Sequence, residues 1–285
     1  MTPVSFDRFA VVDWSGAKGV FHPGIALAVC ETGSAAPRLI APPRRHWSRT
    51  AIRDWLLAQA PGLLIGFDFS FAPPFVARGA YLPGDPTPET APAFRAYVDE
   101  RCDDVDLGAA SFLEQHHRRH FYFGAADGTK ADFMHLRACE AHYNAGGGGK
   151  PSTVYDAIGA AQVAKASFAG MRLLHQLGHQ VFIWPQNQPD VSRPTVIEIY
   201  TQIAARAAGL PKGRSKIREA AGLDTALAAI GCAPHTPLQR YTDHATDAIL
   251  TAAWLRAHAG KAALWSPPAM TPQIAATEGW TFGVI

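Results

Sequence analysis

Five acidic residues of this chain lie in or beside apolar runs: Asp13, Asp68, Glu198, Asp243 and Asp247. A carboxylate is costly to bury unless it is paired, hydrogen-bonded or bound to a metal. The first two end apolar runs, the third interrupts one, and the last two are four positions apart, on one face of a helix. Brought together by the fold, these groups would form an oxygen-rich site suited to Mg²⁺ or Mn²⁺. We expect Asp13, Asp68, Glu198 and Asp247 to be metal ligands with catalytic roles, and Asp243 to assist them.

Each acidic residue also has a structural alternative. Asp13 could close an Asx-turn, and Asp68 could cap a loop among the neighbouring phenylalanines. Asp243 could be the N-cap of its helix. Glu198 would face solvent on an edge strand, whereas on a central strand it has to meet a cation.

Such a cluster would suit phosphodiester chemistry. Two Mg²⁺ ions about 3.5–4 Å apart activate a water molecule and stabilise the leaving oxygen. Without the cations, the carboxylates repel one another, and some of their pKa values rise.

The bulk composition is that of an ordinary globular protein. The chain has 285 residues, of which 48% are hydrophobic and 18% charged, so it has ample apolar material for a core. The net charge of +2 is too small to indicate a polyanion-binding protein. A nuclease with this composition has to concentrate its positive charge locally, and three basic clusters are candidates: Arg44, Arg45, His46 and Arg49; Arg118 and Arg119; and Lys212, Arg214, Lys216 and Arg218.

The cysteine spacing and the search for targeting or membrane segments indicate the redox state and the compartment. The four cysteines have no C-x-x-C spacing and indicate free thiols. No signal peptide pattern and no apolar run of 18 residues is evident. We expect a cytoplasmic, soluble protein without a membrane partner.

The pattern of apolar residues predicts one α/β domain over residues 1–285. Strands are expected at 7–16, 24–30 and 38–40, a helix at 49–59 and a buried strand at 63–67. The order β-β-β-α-β favours a mixed sheet over repeated βαβ units. Residues 70–155, rich in proline, histidine and glycine, are predicted to be an insertion of short helices and loops and a candidate lid.

Helical periodicity returns after the insertion. The predicted helices are 156–177, 202–208, 215–230 and 243–258. The predicted strands are 180–184, 195–200 and a final one at 279–285.

Two weaker motifs bear on ligands. Gly146–Lys150 resembles a phosphate-binding loop, but Asn144 and Pro151 occupy positions that the motif requires to be Gly and Ser or Thr. His116 and His120 have i, i+4 spacing, but the sequence shows no third zinc ligand. The predicted substrate-binding residues are Ser15, Lys150, Lys216 and Arg218.

The ordered set Val-Val-Asp-Trp-Ser-Gly, Ile-Gly-Phe-Asp-Phe-Ser-Phe, Val-Ile-Glu-Ile-Tyr, Asp-His-Ala-Thr-Asp-Ala and Glu-Gly-Trp resembles the family known as domain of unknown function 429. That family is described as predicted nucleases of the ribonuclease H-like superfamily. The resemblance runs from residue 8 to the end of the chain and is thin between 75 and 150. It implies a mixed five-stranded sheet flanked by helices. It also implies a first-strand Asp, a carboxylate on a central strand and an acidic C-terminal helix, here Asp13, Asp68 or Glu198, and Asp247 with Asp243.

We therefore expect a Mg²⁺- or Mn²⁺-dependent nuclease with a ribonuclease H-like fold and nucleic acid as its partner. One alternative is a nucleotide-dependent phosphotransferase of the actin-like fold, with phosphate loops after Asp13 and Asp68. Another is a binding protein that keeps the fold and a metal without catalysis.

Overall fold

The computed structural model describes residues 5–149, 151–158, 163–213 and 216–285. Within these ranges the strands form one six-stranded sheet in the order β3-β2-β1-β4-β6-β5. The strands are β1 (Arg8–Asp13), β2 (Ala26–Glu31), β3 (Arg38–Leu39), β4 (Leu63–Phe67), β5 (Phe182–Ile183) and β6 (Thr195–Glu198). β2 is antiparallel to β1 and β3, whereas β1, β4, β6 and β5 are parallel. The predicted mixed α/β sheet is confirmed.

The α-helices of the described residues are α1 (Arg49–Leu57), α2 (Ala91–Glu100), α3 (Ala138–Ala145), α4 (Val163–Leu177), α5 (Thr201–Ala207), α6 (Ala220–Ala229), α7 (Asp243–His258), α8 (Ala262–Trp265) and α9 (Pro272–Thr277). Short 3₁₀ turns cover Val105–Leu107, Arg118–His120, Ala125–Asp127, Lys130–Phe133 and Gly178–Gln180, and a π-helical turn covers Phe112–His116. Ser48 caps α1 through its side chain. Thr242, not Asp243, caps α7, so the N-cap alternative for Asp243 is wrong.

The two faces of the sheet carry separate apolar cores. In β1, Phe9 and Val11 belong to the core that contains α5, α6 and α7. Ala10 and Val12 belong to the core that contains α1 and α4. This alternation is the period-two geometry of a strand covered on both faces.

Residues 70–155 have an apolar core of their own, built largely from aromatic side chains. Phe94 of α2 and Phe112 pack against Phe168 of α4. The 70–155 segment therefore packs against α4, which covers one face of the sheet.

Two helices do not reach their predicted N-terminal bounds. Of the helix expected at 156–177, residues 163–177 are helical as α4. Residues 156–158 are not helical, and Asp156 forms a bridge with Tyr122 and an ion pair with Lys130. The helix expected at 215–230 begins at Ala220. Lys216 and Arg218 precede it and pair with acidic residues of α7.

The expected final strand at 279–285 is reduced to one bridge, between Thr281 and Glu198. Gly279 and Gly283 have φ values of +73° and +102°. These left-handed conformations turn the chain on both sides of the bridge and prevent an extended strand.

No helix within the described residues is long and apolar enough to cross a membrane.

Candidate functional site

Asp13 and Asp68 lie at the carboxyl ends of two adjacent parallel strands. β1 and β4 pair with Val12 opposite Phe67, so the next residue of each chain is an aspartate. The Asp68 N–H donates to the Val12 carbonyl at 3.2 Å, which extends the pairing by one step. Alternation places both aspartates on the α7 side of the sheet, with Val11 and Leu64. Both line a cavity of about 590 Å³.

The first two turns of α7 add a third carboxylate to this cavity. Asp247 lines the same cavity and is 9% exposed. His244, on the preceding turn, places Nδ1 3.0 Å from Asp13 Oδ1. Lys216 donates from Nζ to Asp247 Oδ2 at 2.9 Å. The helix N-terminus itself favours nearby negative charge.

Burial and the closeness of the carboxylates to one another shift the pKa values of the cavity residues. Burial raises the pKa of Asp68 well above its usual value, and the charges of Asp13 and Asp247 raise it further. Burial also raises the pKa of Asp13 and Asp247, although contacts with His244 and Lys216 respectively oppose the rise. The hydrogen bond with Asp13 raises the pKa of His244. A cation placed among these carboxylates would relieve their repulsion.

Glu198 meets a cation, as the sequence predicts for a central strand, but the cation is Arg137. β6 lies between β4 and β5, and Glu198 is 3% exposed. Arg137 donates from Nη1 to Glu198 Oε2 at 2.7 Å, and its Nη2 donates to Oε1. Thr281 Oγ1 and the Phe71 N–H donate to the same carboxylate at 2.6 and 2.9 Å.

The register of β6 explains this difference. Glu198 pairs with Phe67, not with Asp68. In-register residues of parallel strands point to the same face, so the Glu198 side chain leaves the sheet on the face opposite to that of Asp68. Glu198 still borders the cavity, but its two oxygens accept four hydrogen bonds and have little capacity left for an ion. Its assignment as a metal ligand stays a prediction that this geometry disfavours.

Sequence reasoning missed the residues that surround Glu198. Arg137 is 1% exposed and also contacts Glu140 three positions later. Glu278 accepts from the backbone N–H groups of Phe75, Val76 and Ala138. The Arg-x-x-Glu spacing in Arg137–Glu140 was the one visible signal, since it predicts an ion pair on one helical turn.

The other predicted residues lie in different surroundings. Ser15 lines the cavity, and its Oγ accepts from the Ala17 N–H at 3.3 Å. Lys216 lines it too, bound to Asp247. The Arg218 side chain is 75% exposed, 3.3 Å from the Asp243 carboxylate, and Asp243 is not among the residues that line the cavity. Lys150 and Arg214 lie outside the described residues.

The basic clusters are less available for a polyanion than the sequence suggests. Arg49 is 1% exposed and donates to the carbonyl oxygens of Ser15 and Ala17, so its place in a surface cluster is wrong. Arg118 pairs with Asp127, and Arg119 pairs with Asp85. Arg44 and Arg45 are exposed.

The donor set of the cavity fits a hard divalent cation. Carboxylates from two strand ends and one helix are the oxygen ligands that Mg²⁺ takes, and the ion commonly uses only one or two of them together with water. Among the described residues, no three of these acids bring ligand atoms within 4.8 Å of one another. The arrangement therefore suits loosely held Mg²⁺ or Mn²⁺ better than a tight three-carboxylate cage. Asp13, Asp68 and Asp247 would hold the ion.

Comparison with protein-family models, curated proteins and solved structures returned no match for this chain.

Proposed function

We propose that this protein is a Mg²⁺- or Mn²⁺-dependent hydrolase of nucleic-acid phosphodiester bonds with a ribonuclease H-like fold. One observation carries the proposal. Asp13, Asp68 and Asp247 come from the ends of two parallel strands and the start of a helix, and they line one cavity. His244 and Lys216 offset part of the cost of collecting three carboxylates there, and a cationic ligand would offset more of it.

The sheet supports the fold assignment. β1, β2 and β3 pair antiparallel, β4, β6 and β5 continue the sheet from β1 by parallel pairing, and helices cover both faces. The sequence resemblance implies a mixed sheet of five strands, and the two-residue β5 would be an addition to it. The acidic helix α7 packs against β1 and β2 beside the strand ends.

The residues of the cavity would have different roles in the reaction. Asp13, Asp68 and Asp247 hold the divalent ion, which supplies water activation and charge stabilisation when bound. His244 fixes the orientation of Asp13 through Nδ1. Lys216 neutralises Asp247 in the resting protein, and this ammonium can turn to a substrate phosphate once a metal takes its place.

Cleavage assays test the proposal directly. A panel of end-labelled single strands, duplexes, RNA–DNA hybrids and four-way junctions is incubated with Mg²⁺ or Mn²⁺. We expect metal-dependent cleavage of at least one substrate. Asp13→Asn, Asp68→Asn and Asp247→Asn should each lower the rate at least 100-fold. Asp54→Asn is the matched control, because its side chain is 63% exposed on α1.

Metal binding separates the alternatives. Mg²⁺ that binds only the folded form at 100 times its Kd should stabilise it by about 2.7 kcal/mol. The rise in Tm should disappear in Asp13→Asn and persist in Asp54→Asn. Metal binding without cleavage of any substrate would refute the nuclease. A Tm rise on adding a nucleoside triphosphate would then favour the phosphotransferase, since the loops after β1 and β4 both line the cavity.

A further inference from the structure

A second group of metal-ligand side chains lies in the 70–155 segment. Asp85 Oδ2 is 2.9 Å from His117 Nδ1 and 2.8 Å from His120 Nε2. In the described part of the chain this is the one set of three His, Cys, Asp or Glu residues whose ligand atoms all lie within 4.8 Å. None of the three lines the acidic cavity. We propose that Asp85, His117 and His120 form a binding site for a divalent transition-metal ion, with zinc the best fit.

The sequence pointed to the wrong histidine pair. The i, i+4 spacing of His116 and His120 assumes an α-helix, whereas residues 118–120 form a 3₁₀ turn. In a 3₁₀ turn, side chains at i and i+3 lie above one another, so His117 joins His120 and His116 is exposed. The third ligand comes from 32 residues earlier, a distance that local spacing does not reveal.

The surroundings orient each ligand. Tyr97 Oη lies 3.0 Å from His117 Nε2, which fixes the ring with Nδ1 toward Asp85. Arg119 pairs with Asp85 Oδ1 and leaves Oδ2 to the two rings. Partners of this kind on the far side of ligating histidines and carboxylates hold metal sites in position.

The protonation states match a metal site. Burial lowers the pKa of His117 and of His120, which favours the neutral imidazoles that ligate metals. Burial would raise the pKa of Asp85, but hydrogen bonds with the two rings hold it below its usual value.

His120 Nε2 has two contacts that no single tautomer of the ring satisfies. Arg119 Nε donates to His120 Nε2 at 3.2 Å, and this requires a lone pair on that nitrogen. A nitrogen with a lone pair cannot donate a hydrogen bond to Asp85 Oδ2 at 2.8 Å. A bound ion would itself use the lone pair of Nε2, so Arg119 would give up this contact and keep its pairing with Asp85 Oδ1.

The donor set selects zinc over Mg²⁺. Two imidazoles and one carboxylate suit zinc, copper, iron or nickel, whereas Mg²⁺ prefers oxygen alone. Zinc takes these ligands at about 2.0–2.2 Å in a tetrahedron, with water in the fourth position. The nitrogen and oxygen atoms would have to separate by roughly 0.5 Å to reach that geometry. The bound ion would tie the loop at Asp85 to the turn at His120 and so stabilise the 70–155 segment.

Metal titration of the full chain tests the site. Protein stripped with chelator is titrated with Co²⁺, whose visible absorption reports tetrahedral nitrogen coordination, and then with Zn²⁺ as competitor. We expect one equivalent to bind with a micromolar or lower Kd. Asp85→Asn and His120→Gln should weaken binding at least 10-fold. His116→Gln, an exposed neighbour of the same residue type, should bind as the parent protein does.

Two further results decide the location. Asp13→Asn should leave zinc binding at Asp85, His117 and His120 unchanged. A failure of the zinc proposal can therefore be told from a failure of the Mg²⁺ site proposed for the cavity. If Zn²⁺ does not bind the parent protein at 100 µM, a concentration about 100-fold above a micromolar Kd, or if Asp13→Asn abolishes binding while His120→Gln does not, the proposal is overturned. Should the His120 variant fail to fold, zinc-edge X-ray absorption of the parent protein must show two imidazole ligands, and a spectrum without them also overturns it.

Discussion

Asp68 and Glu198 end adjacent parallel strands but meet different partners. Asp68 accepts from Thr201 Oγ1 at 3.3 Å and is repelled by Asp13 and Asp247. Glu198 is held by Arg137, Thr281 and a backbone N–H. Neutralising Asp68 should relieve repulsion between carboxylates. Neutralising Glu198 should break a buried ion pair and leave the Arg137 guanidinium with Glu140 as its acidic partner.

We therefore expect substitutions at these two positions to change stability in opposite directions. In the metal-free protein, Asp68→Asn should leave the free energy of unfolding unchanged or raise it by up to about 1 kcal/mol. Glu198→Gln should lower it by about 3 kcal/mol. Urea unfolding at pH 7 with chelator present measures both. A loss of several kcal/mol in Asp68→Asn would make Asp68 a structural residue and remove the main support for the metal site.

At the scale of elements, the loop after β1 holds Asp13 in position. The carbonyl oxygens of Ser15 and Ala17 accept from the buried Arg49 of α1, and Trp14 Nε1 donates to the Ala166 carbonyl of α4 at 3.1 Å. A Cβ added at Gly16 would lie 2.3 Å from the Ala166 backbone nitrogen. The loop therefore depends on glycine for its close approach to α4.

Gly16→Ala should accordingly destabilise the protein by about 2 kcal/mol, because backbone atoms have to move apart. It should also weaken divalent-metal binding, since the displaced loop carries Asp13 with it. Gly260→Ala is the control, because a Cβ there meets no atom within 4 Å. Thermal unfolding and metal titration of both variants test this expectation. Equal behaviour of the two variants would show that the loop adapts and does not position Asp13.

The start of α1 is capped from a distant segment. Asp106 accepts hydrogen bonds from the Arg49 and Thr50 N–H groups at 2.9 and 3.0 Å and from Thr50 Oγ1 at 2.8 Å. Its side chain is 2% exposed. Burial would raise the pKa of Asp106, but the hydrogen bonds from His22, Arg49 and Thr50 lower it overall.

The lowered pKa fixes the sign of a pH effect. The stabilisation from Asp106 is present above the unfolded-state pKa of about 3.9 and is lost as pH falls through the lower folded-state value. Asp106 has a left-handed backbone with φ of 49°, which asparagine also adopts. We expect Asp106→Asn to cost about 1–2 kcal/mol near pH 7. The difference from the parent protein should close below about pH 4. Unfolding curves from pH 3 to 8 measure it, and a difference independent of pH would contradict the charged cap.

At the scale of the whole molecule, the net charge of +2 is small. Any electrostatic binding of nucleic acid therefore depends on local clusters of basic side chains. Lys216 and Arg218 are committed to acidic partners on α7. Arg44 and Arg45 are exposed, and Arg44 lies over the Phe21 ring. The segment that carries them is bridged to the loop of residues 14–24 through His22 and Trp47, and this loop borders the cavity.

Arg44→Ala with Arg45→Ala should therefore weaken nucleic-acid binding and reduce its salt slope by about 2, one unit for each lost phosphate contact. Divalent-metal binding should not change. Lys261→Ala, which removes an exposed charge beyond the far end of α7, serves as the control. Fluorescence anisotropy at several salt concentrations measures the slope. An unchanged slope in the double variant would place the contact surface elsewhere.

Local sequence patterns were enough to predict the strands and helices that carry the residues of the site. The continuous apolar run at 63–67 predicted β4, and α7 matches its predicted bounds of 243–258. These features depend on side chains within a few positions of one another, so the sequence displays them directly. The same information indicated that Asp13, Asp68 and Asp247 end up beside apolar surroundings and that Glu198 needs a cation.

Tertiary structure alone decided which partner each group meets. Strand register turned Glu198 away from the face of Asp68 and toward Arg137, and a shift of one residue would have reversed that outcome. Asp85 joined His117 and His120 across 32 and 35 positions. The sequence by itself determined which residues carry charge and how each segment folds locally. Which charges face one another depends on register and on contacts between distant segments, and only the packed chain specifies these.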